Sequence, residues 1–97
     1  MTALPLSIAP THPAFAGHFP GMPILPGVVL LDEAIRAIEL ASGSPPQCWR
    51  VASVKFLRMV GPGEPLALEQ ERLVSGAIRF TILSAGQAVA SGALTPA

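Results

Sequence analysis

The stretch Gly17-His18-Phe19-Pro20-Gly21-Met22-Pro23-Ile24-Leu25-Pro26-Gly27-Val28-Val29-Leu30-Leu31-Asp32 decides how the chain reads. Its first part closes a loop that runs from Pro10 to Pro26 and also contains Pro13. Proline fixes φ and lowers the entropy lost on ordering, so this loop is stiff without being regular. Its last part opens a helix at Gly27. Stiff irregular backbone ahead of a helix is a common place for chemistry. Three groups here are suited to it. His18 is a base on the stiff loop. Gly27 lies where helical N–H groups have no intrahelical acceptor, which suits an oxygen gaining negative charge. Asp32 is a carboxyl near the end of the helix's second turn. Base, oxyanion donor and acid are the parts that proton abstraction beside a thioester carbonyl requires.

Each of the three also has a plainer reading. A loop histidine is more often a surface or hydrogen-bonded side chain than a base. Asp32, Arg36 and Glu39 share one helical stripe, which is more often a solvated face with an Asp32–Arg36 ion pair. A glycine at a helix start is commonly just a turn residue.

Outward from this stretch, Gly27–Ser42 reads as the one helix, rich in Leu, Ala and Glu, with Gly43 as its stop. It should be roughly 24 Å long. Only Asp32, Glu33, Arg36 and Glu39 are polar before Ser42, so the helix should be mostly buried, with a sheet wrapped around it. Ala3–Ala9 suggests a short strand, at a sheet edge because it contains Pro5. Downstream, strands are expected over Arg50–Met59, with Val54, Phe56 and Leu57 as core candidates, and then over Leu66–Leu73, Ala77–Leu83 and Ala88–Leu94. The turns between them are Gly61-Pro62-Gly63-Glu64, Ser75-Gly76 and Ala85-Gly86. The expectation is an α+β chain, one helix followed by an antiparallel meander, forming a single domain over residues 1–97.

Composition narrows the function. Of 97 residues, 51% are hydrophobic and only 12% charged, with mean hydropathy +0.55. So small a chain has a marginal core of its own. Its few charges would leave a monomer's surface poorly covered, so a large apolar face should be buried against a partner. The formal net charge is zero and no basic run occurs, which argues against nucleic acid. One cysteine and two histidines make an internal disulfide impossible and a structural zinc site improbable. Cys48 reads as a small core filler, and His12, before Pro13, as a turn or surface residue. No apolar run is long enough to span a membrane and no signal-peptide pattern begins the chain, so a cytoplasmic protein is the expectation. Arg50, Lys55 and Arg58 are either a solvated strand face or a contact for an acidic partner.

The quoted stretch resembles the signature of the 3-hydroxyacyl-acyl-carrier-protein dehydratases: His-Phe-x-Gly-x-Pro-x-x-Pro-Gly, then an acidic residue fourteen positions after the histidine. His18, Phe19, Gly21, Pro23, Pro26 and Gly27 match in place, and Asp32 stands at the acidic position. Pro13–Gly17 is similar to the family's lead-in, and Lys55–Glu64 to its later strand and turn. Leu30-Leu31-Asp32-Glu33 also resembles the short dehydratases of aryl-polyene-type pathways. The resemblance implies a hotdog fold, an antiparallel sheet wrapped around one long helix. It implies dehydration of 3-hydroxyacyl thioesters to trans-2-enoyl thioesters in fatty-acid or polyene-type synthesis. His18 would take the α-proton, Asp32 would protonate or hold the leaving hydroxyl, and the Gly27 amide would polarise the carbonyl. Phe19, Pro26 and Val28 would bind substrate. No metal or redox cofactor is implied, because the thioester itself acidifies the α-carbon; the substrate rides on the phosphopantetheine of acyl carrier protein. The resemblance further implies a homodimer, a higher oligomer of dimers, or a hetero-oligomer with a related hotdog subunit, with histidine and carboxylate supplied by different chains.

Some positions depart from the pattern. Glu33 follows Asp32 where the family has alanine, and is a rival acid. Arg36 replaces a glutamine common in the family; paired with Asp32 it would lower that carboxyl's pKa. Two alternatives therefore stand beside the dehydratase: a hotdog thioesterase, and a non-catalytic hotdog subunit that supports an active partner.

Overall fold

The computed structural model describes residues 2–6, 8, 25–43 and 48–97. Among these residues six elements follow in order: β1 Thr2–Leu6, α1 Gly27–Ser42, β2 Trp49–Phe56, β3 Leu66–Arg72, β4 Ile78–Ser84 and β5 Gln87–Pro96. The five strands form one antiparallel sheet in the order β1-β3-β4-β5-β2. The segment carrying His12, His18 and Phe19 lies outside the described residues.

The helix has the bounds that its flanking residues dictate. Pro26 precedes it at φ −59°, ψ 142°, an extended conformation that begins no helix of its own. Gly43 ends it at φ 68°, and its N–H donates to the Leu40 carbonyl at 3.4 Å. A left-handed residue there is readily adopted only by glycine.

Leu30, Ala34 and Ile38, spaced by one turn, are the buried helical stripe. They join Leu66 and Leu68 of β3, Ile78, Phe80 and Ile82 of β4, and Val89, Ala90 and Leu94 of β5 in one core. β4 shows the period-two pattern of a half-buried strand, Ile78, Phe80, Ile82 and Ser84 inward and Arg79 outward. The β4–β5 register shifts between Ile82 and Leu83, so Val89 has no opposite residue on β4. This extra residue is a bulge. Its carbonyl accepts from the Leu57 amide at 2.8 Å, which carries the chain out of β2. Ala85 and Gly86 both have positive φ, 51° and 82°, the backbone that suits a tight two-residue hairpin.

Four expectations are corrected. First, β2 does not pair with β3 as a simple meander requires; it crosses to the far edge and pairs with β5, while β1 holds the other edge with its Pro5. Second, of the three core candidates on β2, Val54 is only half-buried and Phe56 and Leu57 are exposed, 49% and 54%. An edge strand has one neighbour, and among the described residues most of β2 is left exposed, with only Trp49 and Val54 half-buried. Third, the helix is not mostly buried. Val28 is 71% and Leu40 75% exposed, on a stripe with Asp32 and Arg36 that points away from the sheet. Fourth, Cys48 is exposed, just ahead of the edge strand, and fills no core. No helix among the described residues is long and apolar enough to cross a membrane.

Candidate active site

A groove of about 850 Å³ opens where the helix begins. One side is residues 25–28 with Leu30; the other is residues 56–60. The two sides are tied by the Leu25 amide, which donates to the Val60 carbonyl at 2.8 Å. The groove therefore brings together Pro26, Gly27 and Val28, three of the six residues singled out from the sequence. Asp32 is not in its lining. His18 and Phe19 lie outside the described residues.

The helix start has the electrostatics expected of it. The Val29 and Leu30 amides bond back to the Pro26 carbonyl at 3.0 and 3.2 Å. The Gly27 and Val28 amides precede the first intrahelical bond. Among the described residues no side chain caps this end, and no acidic residue sits in the first turn. The positive end of the helix dipole thus meets no carboxylate of its own first turn. Packing also disfavours a side chain at Gly27 unless Phe56 moves. A Cβ there would lie 2.8 Å from Cζ of Phe56 and 2.9 Å from its Cε1. The Phe56 ring therefore rests on the backbone whose amide borders the groove.

Asp32 sits one helical turn beyond Val28, about 6 Å along the axis. It is exposed and lies about 200° round the helix from buried Leu30. Arg36 is exposed as well, and no ion pair joins it to Asp32. Glu33, the rival acid, is half-buried and also outside the groove lining. Glu39 accepts from Trp49 Nε1 at 3.3 Å, so the far end of the charged stripe helps to hold β2.

The sequence did not flag the groove's second wall. Leu57, Met59 and Val60 supply its apolar surface, and Glu64 anchors it. The Glu64 carboxylate accepts from Arg58 Nη2 at 2.8 Å, from the Gly61 amide at 2.6 Å and from the Ser84 hydroxyl at 2.9 Å. These bonds, the one from Arg58 foremost and that from Gly61 next, lower its pKa from 4.5 to about 2. Its place three residues after Gly61, at the end of a Gly-Pro-Gly turn, was the available signal. A turn leaves amides in need of an acceptor, and a carboxylate at that spacing can reach one. Arg50 and Lys55 are exposed on β2, as a solvated strand face would have them.

Comparison with known proteins adds the family. The ApeI-like family model, described as ApeI dehydratase, matches residues 2–93. The 3-hydroxyacyl-[acyl-carrier-protein] dehydratase FabZ of Caldicellulosiruptor saccharolyticus is 34% identical over 95 aligned positions, covering 86% of this chain and 67% of that protein. FabZ of Clostridium acetobutylicum is 41% identical over 64 positions, 59% of this chain and 45% of that protein. The chain thus matches about half the length of the first of these curated relatives. Among solved structures, the dehydratase heterocomplex ApeI:P from Xenorhabdus doucetiae superposes with a TM-score of 0.82 at 26% identity, covering 96% of this chain and 83% of that one. An uncharacterized protein from Erwinia carotovora subsp. atroseptica gives 0.71 at 28%, covering 97% and 80%. A five-stranded antiparallel sheet carrying the helix α1, the hotdog fold, and a family match over nearly its whole length together place this chain in the ApeI-like dehydratase family.

Proposed function

We propose that the chain dehydrates 3-hydroxyacyl thioesters, carried on acyl carrier protein, to trans-2-enoyl thioesters in fatty-acid or polyene-type synthesis. The observation that carries this reading is the groove at the helix start. It lies at the positive end of the helix, with Gly27 in the lining of an apolar channel large enough for an acyl chain. The match to ApeI-like dehydratases over residues 2–93 and the FabZ relatives support the same chemistry.

In this mechanism the thioester carbonyl accepts from the Gly27 amide, which stabilises charge developing on oxygen as the α-proton leaves. His18 takes that proton. The C3–O bond breaks as Asp32 protonates the hydroxyl, so water departs and the α,β double bond forms. Pro26 and Val28 pack along the chain beside the carbonyl, and Phe19 completes that contact. The thioester's own acidifying effect on the α-carbon makes a redox cofactor or metal unnecessary.

Asp32 faces away from its own sheet and stays out of its own chain's groove. A carboxyl so placed serves a site only where another chain covers the Val28–Asp32 stripe. The exposed Val28, Leu40, Phe56, Leu57 and Met59 make that face apolar enough to pair. The working unit is accordingly a dimer with two shared sites. The second chain is an identical copy or a related hotdog subunit; the heterocomplex neighbour supports the latter arrangement for this fold.

The test is product analysis. Purified protein is incubated with a 3-hydroxyacyl thioester of N-acetylcysteamine and with the same acyl group on acyl carrier protein. Formation of the enoyl thioester is expected. Release of free thiol and 3-hydroxy acid would replace the dehydratase with a thioesterase. No turnover alone, but turnover on adding a related hotdog chain, would make this chain a supporting subunit.

A further inference from the structure

Residues 57–60 belong to neither helix nor strand, yet they form a wall of the groove. A wall without regular structure needs other restraint, because its backbone groups have no ladder to join. Three backbone bonds restrain it: the Leu57 and Arg58 amides donate to the Val89 carbonyl at 2.8 and 3.4 Å, and the Leu25 amide donates to the Val60 carbonyl at 2.8 Å. Its side chains and its downstream end are held through Glu64. Arg58 donates from Nη2 to Glu64 Oε1 at 2.8 Å and from Nη1 to the Met59 carbonyl at 3.0 Å. The guanidinium that Glu64 fixes therefore also grips the backbone of the wall. Glu64 Oε2 accepts from the Gly61 amide at 2.6 Å, at the wall's downstream end. Oε1 accepts a second time, from the Ser84 hydroxyl at 2.9 Å, which anchors the whole cluster to β4. Ser84 is 2% exposed, the one buried polar side chain among the described residues, and its hydroxyl is committed to Glu64.

We propose that Glu64 is a positioning residue that fixes the Arg58–Val60 wall against the helix start and so sets which acyl chains the groove accepts. The proposal rests on the reading of the groove as the acyl site. Glu64 touches no reacting atom; it acts through Leu57, Met59 and Val60, whose side chains an acyl chain would meet. Both carboxylate oxygens are used, so the amide of glutamine, with one acceptor and one donor, cannot reproduce the cluster. The Gly61 amide or the Arg58 guanidinium would then face a donor, and the wall would lose its fixed position.

Glu64→Gln is compared with the wild type on N-acetylcysteamine thioesters of 3-hydroxybutanoate, 3-hydroxyhexanoate and 3-hydroxydecanoate. The expected result is a KM raised about threefold to tenfold for the longer chains, the loss of one or two charge-assisted bonds, with kcat falling less and the shortest substrate least affected. A lowered melting temperature with unchanged KM at every chain length would make Glu64 a structural residue only and overturn the proposal. So would an equal fall in kcat for all three substrates. If Glu64→Gln does not fold, Ser84→Ala removes one of the three bonds and goes through the same assay, read the same way. If the wild type dehydrates nothing, binding of decanoyl-N-acetylcysteamine by calorimetry reads the groove without turnover. Weaker binding by the variant then upholds the positioning role while the dehydratase reading falls, and equal binding overturns it.

Discussion

Replacing Gly27 by alanine probes how the Phe56 ring packs on the helix start. The new Cβ would lie 2.8, 2.9 and 3.0 Å from Cζ, Cε1 and Cε2 of Phe56. Carbon atoms rest at about 3.5–4.0 Å, so the ring must retreat by roughly 0.5–1 Å. Overpacking of this kind typically costs ~1–3 kcal/mol. Phe56 is the last residue of an edge strand and half exposed, so it can swing outward, and the low end of that range applies. Alanine's better helix propensity returns at most about 1 kcal/mol, and less in a first turn. A net loss of ~1 kcal/mol is expected for Gly27→Ala. In a Phe56→Ala background the ring is gone and the same substitution should be neutral or slightly stabilising. The two changes should therefore couple by ~1–2 kcal/mol. Urea unfolding of the four proteins at one fixed concentration, with m-values checked for constancy, measures this cycle. Effects that add to within about 0.3–0.5 kcal/mol would refute the claim that the Phe56 ring is what disfavours a side chain at this position.

Two further outcomes are expected. Asp32→Asn should reduce kcat/KM by about 10²–10⁴, the usual range for losing a general acid, whereas Glu33→Gln should change it little; steady-state kinetics of both variants decides, and the reverse order would move the acid to Glu33. Glu64 has a folded-state pKa held below its unfolded value, so its stabilisation is present above about pH 4.5 and lost as pH falls through about 2. Unscreened, that shift would be worth ~3 kcal/mol; with Arg58 39% exposed, ~1–2 kcal/mol is expected. The stability gap between wild type and Glu64→Gln should therefore close on acidification from about pH 6 toward pH 2, and a gap that ignores pH would show that the carboxylate's charge does not hold the wall.

Local punctuation made much of the fold legible. Pro26 and Gly43 bracket α1, and both helix bounds were readable because each residue acts through its own φ. Pro5 placed β1 at an edge for the same kind of reason: it cannot donate to a second neighbour. The pairing of β2 with β5 was not legible. It joins segments some forty residues apart, such as Trp49 with Pro96, and no short-range pattern encodes it. From that one fact follow the exposure of Phe56 and Leu57 and of Cys48, all of which had been read as inward.

Pro26 and Gly27 belong to a signature confined to one segment, Val28 follows it directly, and all three line the groove. The wall at residues 57–60 was missed because it works through a cluster drawn from the Gly61-Pro62-Gly63 turn and from Ser84 on β4. Arg58, read as a solvated charge or a partner contact, is exposed and is also bonded to Glu64. The direction of Asp32 was half legible. It is two positions from Leu30, which already sets the two on opposite faces of a helix. Which face the sheet takes required the tertiary structure.

The central claim is a dehydratase site assembled from two chains, and mixing inactive variants tests it most directly. His18→Ala and Asp32→Asn are each prepared, shown to be inactive, combined under conditions that exchange subunits, and assayed for enoyl thioester. Random exchange makes about half the dimers mixed, each with one doubly defective and one intact site, so roughly a quarter of wild-type activity should return. A mixture whose subunits demonstrably exchange but which forms no enoyl product would contradict the shared site, because every site built within one chain would still carry a defect.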